Sequence, residues 1–173
     1  GRQMPHHYSH KNLRIVSQSS ATGTQFLQAV GCALSRKLEK NNELVYVSAG
    51  EGTTSQGDFH EALNWASNSK APVIFHIQDN EYAISTHKSI QNADSVYAMS
   101  AGYRNLGRYD VNGVDFFETN LAFKEAAERA RKGKGPSLIV SNVVRLLPHS
   151  SSDDQRKYRT EQELIEDKKR DPI

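Results

Sequence analysis

The chain has 173 residues, a formal net charge of +2 and a hydrophobic content of 36%. This length is sufficient for one domain with its own core. The small net charge argues against a nucleic-acid partner, since nucleic-acid-binding domains show a basic face or stripe. No apolar run approaches the roughly 18 residues needed to span a bilayer, and no signal peptide is recognisable. We therefore expect a soluble intracellular protein without a membrane partner.

The single cysteine and the two ends of the chain bear on its context. Cys32 lies on an apolar helical face, so we interpret it as a small core residue in a reducing compartment rather than a reactive thiol. The chain begins at Gly1 without Met and stops at Ile173 just after a charged helix. We therefore expect residues 1–173 to form a single domain that belongs to a longer polypeptide.

The first 40 residues predict a loop, a short strand and a helix. Residues 1–11 are polar and contain three histidines, but their spacing does not match that of metal ligands, so a loop near a ligand is favoured over a metal site. Residues 13–18 alternate and are β-branched, which predicts a strand. A helix ending near Lys40 follows, since its apolar residues recur at helical spacing: Phe26, Val30, Ala33 or Leu34, and Leu38.

The middle of the chain predicts a strand, a glycine turn, a helix and a second strand. Residues 44–49 are almost continuously apolar, as in a strand buried on both faces. Residues 58–68 predict a helix that Asp58 caps. Its buried face is expected to comprise Phe59, Ala62, Leu63 and Ala66. Residues 73–77 predict the second strand.

Residues 85–105 are rich in polar residues and predict a long loop with one helical turn near residues 96–101. Residues 109–113 predict a strand and a turn. Asp115 and Glu118 have the spacing of a capping box. The helix that this box opens would bury Phe123, Ala126, Ala127 and Ala130, and would end at residues 132–136.

The last part of the chain contains a third buried strand at residues 137–144, a polar loop at residues 145–154 and a charged helix opened by a second capping box, Thr160 with Glu163. Strands alternate with helices along the chain. This alternation predicts an α/β domain with a mostly parallel sheet flanked by helices.

Two turns that should meet at the carboxyl edge of this sheet carry the candidate site, because ligands of open α/β folds bind there. Glu51 offers a carboxylate, Asn80 an amide oxygen, and Tyr82 a backbone carbonyl. Hard oxygen ligands of this kind suit Mg²⁺, which binds substrate phosphates as well. Gly50 and Gly52 would let backbone amides approach a diphosphate. The alternative is an exposed acid in an ordinary glycine turn.

The spacing of these motifs resembles a known family. Gly50-Glu51-Gly52, then 26 residues, then Asp79-Asn80 is similar to the thiamin-diphosphate motif. Four further segments resemble the alpha subunit of the 2-oxoacid dehydrogenase first component, or the alpha-like half of a fused chain: residues 1–5, 28–31, 82–86 and 149–154. The last segment is closer to the branched-chain (2-oxoisovalerate) type than to the pyruvate type.

The resemblance implies a thiamin-diphosphate-binding fold and roles for individual residues. Glu51, Asn80 and the Tyr82 carbonyl would bind Mg²⁺, and His149 would be the catalytic histidine. Further residues implied to contact thiamin diphosphate are Ser20, Thr22, Gly50, Gly52, Thr53, Ile84, Arg145 and His149. A stretch implied to line the cofactor pocket or a structural K⁺ site comprises Ser19, Ala21, Thr24 and Gln25.

Three departures from the family pattern are visible. Gln78 stands where many relatives have an Arg that contacts the diphosphate, Asp79 replaces the first Asn of the pair, and Leu147-Pro148 replace smaller or more polar residues. Ser150 stands where mitochondrial relatives are phosphorylated, but any exposed serine-rich loop would look similar.

The implied reaction is the oxidative decarboxylation of a 2-oxo acid, as in branched-chain amino acid catabolism, with acyl transfer to a lipoyl-bearing acyltransferase. The family uses a glutamate from a beta subunit or fused half, so we expect this chain alone to be inactive and to bind cofactor weakly. The implied location is the cytoplasm in a bacterium or the mitochondrial matrix in a eukaryote. The alternatives are a transketolase-like half, or a domain that retains the fold without activity.

Overall fold

The computed structural model describes residues 7–173, so the motif at residues 1–5 and His6 lie outside the described residues. Its helices are α1 (Thr24–Leu38), α2 (Gly57–Ser69), α3 (Lys88–Gln91), α4 (Val96–Met99), α5 (Phe116–Arg131) and α6 (Glu161–Lys169). Its strands are β1 (Val45–Gly50), β2 (Val73–Asp79), β3 (Tyr82–Ala83), β4 (Thr86–His87), β5 (Gly107–Asn112) and β6 (Ser137–Asn142). None of the helices within residues 7–173 combines the length and apolar character needed to cross a membrane.

A four-stranded sheet with the order β1-β2-β6-β5 forms the centre of the described chain, and its neighbouring strands are all parallel. The predicted α/β class with a mostly parallel sheet is therefore confirmed. In the register, Gly50 pairs with Gln78 and Gln78 pairs with Ser141. The carboxyl ends of these three strands thus lie together at one edge.

The larger core lies between the sheet and helices α1 and α2. The Phe26 ring lies 5.0 Å from the Phe59 ring and 6.1 Å from the Phe75 ring, so one residue from each helix and one from β2 meet at its centre. The predicted buried face of α2 is confirmed for Phe59, Ala62, Leu63 and Ala66.

The opposite face of the sheet is covered by α5 and contains a buried histidine. His76 of β2 is 8% exposed and joins three strands, because Nδ1 lies 2.9 Å from the Tyr46 hydroxyl and Nε2 lies 2.9 Å from Ser141 Oγ. The Phe123 ring of α5 packs edge-to-face on the imidazole at 5.0 Å. The sequence shows His76 only as one polar residue inside an apolar strand.

The two predicted capping boxes have different outcomes. The Thr160 hydroxyl and the Glu163 carboxylate bond each other's backbone N–H groups, so the box at α6 is confirmed. Asp115 accepts hydrogen bonds from the first turn of α5, but the Glu118 carboxylate accepts from the Asn112 N–H instead of the Asp115 N–H. Asp115 therefore caps α5, while the Glu118 carboxylate connects the helix to Asn112 at the end of β5 instead of completing a capping box.

Three local predictions are wrong. Residues 13–18 form no strand, because the chain turns back on itself in one isolated His10–Ile15 bridge and meets no sheet edge. Helix α2 begins at Gly57 after Gln56, so Asp58 lies inside the first turn and does not cap it. Leu38 is 82% exposed, because the part of α1 that packs on the core ends at Leu34.

Other predictions are confirmed with small shifts in their bounds. The strands predicted at residues 44–49, 73–77, 109–113 and 137–144 correspond to β1, β2, β5 and β6. The helical turn predicted near residues 96–101 is α4 followed by a 3₁₀ turn at Ser100–Gly102. Cys32 is only half-buried. Helix α3 and the β3–β4 hairpin were not predicted.

The buried position of His76 predicts how stability depends on pH. Burial lowers the pKa of His76 below its usual range, so the unfolded chain takes up a proton at a higher pH than the folded chain does. The free energy of unfolding should therefore fall as pH drops through about 6.5. Urea unfolding of the His76→Gln variant should show a smaller loss between about pH 7.5 and about pH 5.5 than the wild type shows.

The matched control is His60→Gln, since His60 is exposed on α2. This variant should retain the wild-type loss. Equal pH dependence of His76→Gln and the wild type would contradict the assignment of the loss to His76.

Candidate functional site

Glu51 is the first residue after β1 and starts the 3₁₀ turn Glu51–Ser55. Glu51 is 1% exposed, and its Oε2 accepts a hydrogen bond of 3.2 Å from the Asn80 N–H. Its other oxygen, Oε1, is buried and has no hydrogen-bond partner among residues 7–173. One carboxylate therefore joins the ends of β1 and β2 and still has an oxygen that can bind a further group.

Burial raises the pKa of Glu51, although hydrogen bonds from its own backbone and from Asn80 act in the opposite direction. The Asp79 charge raises the pKa further, and the Lys88 charge lowers it. A buried carboxylate without a direct counter-charge is costly unless a cation or a proton compensates it. Glu51 is thus suited to binding a cation at the edge of the sheet.

The turn after β2 is held by its own side chains. The Asn80 amide oxygen accepts a hydrogen bond of 3.1 Å from the Tyr82 N–H, and the Asp79 carboxylate accepts one of 2.9 Å from the Glu81 N–H. Glu81 has a φ of 72° and Ile84 a φ of 55°. A left-handed backbone is unfavourable for a β-branched residue, so Ile84 is a strained position of the kind that clusters at functional sites.

The glycine at position 52 is required by its close contacts. A Cβ atom on Gly52 would lie 2.5 Å from the Cβ of Ala83. Any side chain would therefore force the Glu51–Ser55 turn and the β3–β4 hairpin apart. The two turns of the candidate site, one after β1 and one after β2, are in direct contact.

Arg145 follows β6 and contacts the second of these turns. Its guanidinium donates a hydrogen bond of 2.7 Å to the Ile84 carbonyl and one of 2.5 Å to the Tyr158 hydroxyl, and its Cζ lies 5.2 Å from the centre of the Tyr82 ring. Arg145 therefore bonds the carbonyl of the strained residue and lies beside Tyr82, one of the residues predicted to bind Mg²⁺.

The loop that carries His149 is exposed but is connected to Arg145. The Asp153 carboxylate accepts a hydrogen bond of 2.9 Å from the His149 N–H and one of 2.6 Å from the Tyr158 hydroxyl. The hydrogen bond from Tyr158 is the main reason that the pKa of Asp153 is lowered. Tyr158 thus links the His149 loop to the guanidinium of Arg145.

An open cleft of about 550 Å³ lies beside this loop, between residues 145–156 and helix α6. Glu51 and Asn80 do not line it. The concave surface and the buried carboxylate are therefore separate features.

The stretch predicted to line the cofactor pocket or a K⁺ site is organised by local bonds before α1. The Ser19 hydroxyl accepts a bond from the Ala21 N–H, the Thr24 hydroxyl donates to the Ala21 carbonyl, and the Gln25 amide accepts from the Gly23 N–H. The Ser20 hydroxyl lies 3.0 Å from His7 Nε2, and Thr22 is exposed.

This stretch lies close to the Glu51–Ser55 turn. Gly23 has a φ of 99°, and a Cβ atom on it would lie 2.8 Å from the Cβ of Gln56. The predicted pocket residues therefore lie against the turn that follows Glu51.

Comparison with known proteins adds to this geometry. A family model described as "Dehydrogenase E1 component" matches residues 1–173. The chain belongs to this family. The resemblance inferred from the motifs is confirmed.

The relatives are alpha subunits of two dehydrogenases. The chain is 47% identical to the 2-oxoisovalerate dehydrogenase subunit alpha of Bacillus subtilis, with 100% of the chain and 52% of the relative covered. It is 38% identical to the pyruvate dehydrogenase E1 component subunit alpha of Staphylococcus aureus strain Mu50, with 100% and 46% covered. The chain spans about half the length of these curated relatives.

A solved structure shares the fold. It is described as a candidate thiamin diphosphate-dependent enzyme isolated from Mycobacterium smegmatis, and it matches with a TM-score of 0.57 at 20% sequence identity. The match covers 76% of this chain and 24% of that chain. The parallel sheet with flanking helices is thus a fold that this structure also has.

The residues that depart from the family pattern differ in their burial and contacts. Gln78 is exposed at the end of β2, whereas Asp79 is 4% exposed and pairs with Lys88 at 3.1 Å between Oδ2 and Nζ. Leu147 and Pro148 are exposed in the His149 loop. Ser150 is exposed as well, and its hydroxyl lies 3.1 Å from the Ser152 hydroxyl.

The sequence-based reasoning missed Lys88, Gln91 and Tyr158. For Lys88 a signal was available, because a carboxylate at position 79, directly after a buried strand, would require a positive partner. Gln91 and Tyr158 lie in polar segments without a comparable pattern, so only their contacts identify them.

The Tyr158 hydroxyl is predicted to restrain the His149 loop. Tyr158→Phe removes its bonds to Asp153 and Arg145 and retains the ring, so the loop should open more often. Hydrogen exchange should then be faster at the His149 amide, with Tyr109→Phe in β5 as the control. Unchanged exchange at His149 would contradict the link.

Proposed function

We propose that this chain binds the diphosphate end of thiamin diphosphate through Mg²⁺. The observation that carries the proposal is the buried Glu51 carboxylate, which bonds the Asn80 N–H and keeps one oxygen without a partner among residues 7–173. A divalent cation would compensate this charge, and cations of this kind are held by carboxylates together with phosphate oxygens.

The remaining ligands would come from the adjoining turn. The Asn80 amide oxygen and the Tyr82 carbonyl would complete the protein ligands with Glu51. The Asn80 oxygen already accepts one hydrogen bond, and its second lone pair is available to a metal. These three oxygens would leave three positions of an octahedral Mg²⁺ for phosphate oxygens and water.

The diphosphate would lie between the glycine turn and Arg145. The absence of side chains at Gly50 and Gly52 allows close approach to the backbone, and Thr53 follows in the same turn. Arg145 would form a charge-assisted contact with a phosphate oxygen. Ile84 would support the middle of the cofactor. Ser19, Ser20, Ala21, Thr22, Thr24 and Gln25 would line the pocket or a structural K⁺ site.

The reaction that we infer is the oxidative decarboxylation of a 2-oxo acid with acyl transfer to a lipoyl group. Thiamin diphosphate, when bound, supplies the carbanion stabilisation that decarboxylation requires. His149 would move a proton at the reacting end, since an imidazole can both accept and donate a proton. Its exposure on a loop connected to Arg145 fits a group that meets substrate.

We infer the substrate and partners from what the relatives are named for. Identity is higher to the 2-oxoisovalerate type, at 47%, than to the pyruvate type, at 38%, so a branched-chain 2-oxo acid is the favoured substrate. A beta subunit or fused half would supply the glutamate that acts on the cofactor, and a lipoyl-bearing acyltransferase would accept the product. The isolated chain would accordingly be inactive.

Replacing Glu51 tests the metal site. Glu51→Gln retains the shape of the side chain and removes its charge, so Mg²⁺-dependent binding of thiamin diphosphate should weaken by more than the roughly 10- to 100-fold typical of an outer-shell change. Calorimetric titration of the full-length protein with its partner subunit measures this. Glu128→Gln, an exposed change on α5, should bind like the wild type. Unchanged affinity in Glu51→Gln would refute the site.

Replacing His149 tests the catalytic role separately. His149→Ala should lower kcat by about 100-fold or more, as expected for loss of an acid–base group, and should weaken cofactor binding far less than Glu51→Gln does. His60→Ala, an exposed change on α2, serves as the control in steady-state kinetics of the same assembly. A wild-type kcat in His149→Ala would exclude the residue from catalysis.

A further inference from the structure

We propose that helix α3, residues 88–91, is a brace that positions the two turns of the Mg²⁺–diphosphate site, with Lys88 and Gln91 as positioning residues. The inference rests on the proposed function, because the turns it connects are those assigned to the metal and the diphosphate. Neither residue contacts the cofactor in this proposal. Each acts through a turn that does.

Lys88 secures the turn after β2. Its Nζ lies 3.1 Å from the Asp79 carboxylate and 3.3 Å from the Glu81 carboxylate, and its N–H donates a hydrogen bond of 2.8 Å to the Glu81 carbonyl. This one residue therefore binds both residues on either side of Asn80. The turn that presents the Asn80 and Tyr82 oxygens is thereby fixed from the outside.

Gln91 secures the turn after β1. Its Nε2 donates hydrogen bonds of 2.7 Å to the Gly52 carbonyl and 2.7 Å to Ser55 Oγ. Ser55 Oγ in turn donates to the Asn92 amide oxygen at 3.2 Å. The segment that follows Glu51 is thus tied at both of its ends to the end of α3.

The placement of the two side chains explains how such a short helix can act on both turns. Lys88 and Gln91 are three residues apart, so they share one helical face. A helix of four residues has no stability of its own. The bonds of Lys88 and Gln91 therefore determine where it lies, and through it the turns after β1 and β2 are connected a second time, beyond the Glu51–Asn80 bond.

The charge of Lys88 also compensates a sequence departure. Asp79 stands where the motif has Asn, and its side chain is only 4% exposed. An unpaired carboxylate buried beside Glu51 would be costly, whereas a neutral amide would not. Lys88 and Asp79 therefore form a matched pair, so replacing both by neutral side chains should remove the charge penalty that the loss of Lys88 alone creates.

The experiment uses the full-length protein with its partner subunit and thiamin diphosphate with Mg²⁺ as the probe. Lys88→Met and Gln91→Leu should each weaken cofactor binding by roughly 10-fold, as expected for groups that orient ligands. At saturating cofactor their kcat should equal that of the wild type, because His149 lies on a separate loop. Lys132→Met and Gln162→Leu, both exposed, are the matched controls.

The decisive variant is the double change Asp79→Asn with Lys88→Met, which removes both charges together. It should restore part of the affinity lost in Lys88→Met, because it no longer buries an unpaired charge and the amide oxygen introduced at position 79 can still accept from the Glu81 N–H. Restoration is specific to charge matching, since general damage to the fold would add up in the double variant instead. No restoration would overturn the pairing.

Hydrogen exchange without cofactor gives a second readout that does not depend on the proposed function. In Lys88→Met the amides of Glu81 and Tyr82 should exchange faster, and in Gln91→Leu the amides of residues 52–55 should do so. If Glu51→Gln abolishes binding but Lys88→Met and Gln91→Leu match the wild type in affinity and exchange, the brace is refuted. If Glu51→Gln binds normally, the proposed function fails and the exchange data alone decide on the brace.

Discussion

The parallel register of β1 and β2, in which Gly50 pairs with Gln78, determines where the candidate site forms. Because β1 ends at Gly50 opposite Gln78 and β2 ends one residue later, the residues that follow them, Glu51 and Asn80, must emerge together at one edge. A slip of one residue would turn every side chain of a strand to the other face. The buried cores on both faces prevent such a slip, so the packing of Phe75 and Ile74 on opposite sides of β2 also fixes the position of Glu51.

The two buried carboxylates at this edge differ in how their charge is compensated. Asp79 receives hydrogen bonds from the Glu81 N–H and from Lys88, so both of its oxygens are engaged. Glu51 receives one from the Asn80 N–H, and its Oε1 has no partner among residues 7–173. Burial of a charge without compensation reduces stability. Because Asp79 is fully paired and Glu51 is not, the loss of stability from buried charge is concentrated at Glu51. The strained backbone of Ile84 lies in the adjoining β3–β4 hairpin. An incompletely bonded buried acid and a strained backbone both lower stability, and such features are expected at binding sites.

The sequence predicted those parts of the structure that depend on local periodicity, and it missed those that depend on distant contacts. The strands β1, β2 and β6 were predictable because burial on both faces makes them almost continuously apolar. Residues 13–18 have the same β-branched character but lack a neighbouring strand, and no local pattern reveals that absence. Glu51 and Asn80 were found because their motif spacing follows from a strand–helix–strand unit. The bonds of Lys88, Gln91 and Tyr158 join segments that are up to about 40 residues apart, as in the Gln91–Gly52 pair, and side-chain contacts of this range have no periodic signature.

The two functional parts of the chain differ in how firmly they are held, and this difference matches the division of roles proposed for them. The turns around Glu51 and Asn80 are enclosed by the sheet, by the β3–β4 hairpin and by α3, so a ligand would meet oxygens that are already in place. This reduces the ordering cost of binding. The His149 loop is exposed, and in the described residues its backbone is tied through Asp153 to Tyr158 and from there to Arg145. Arg145 bonds the Ile84 carbonyl as well. A phosphate bound to Arg145 would compete with its bonds to the Ile84 carbonyl and the Tyr158 hydroxyl. Ligand binding at the turns around Glu51 and Asn80 would therefore change how the His149 loop is restrained, through the single guanidinium of Arg145. The proposed site for the tail of the cofactor is therefore preformed, the histidine loop is less constrained, and the connection between them runs through Arg145.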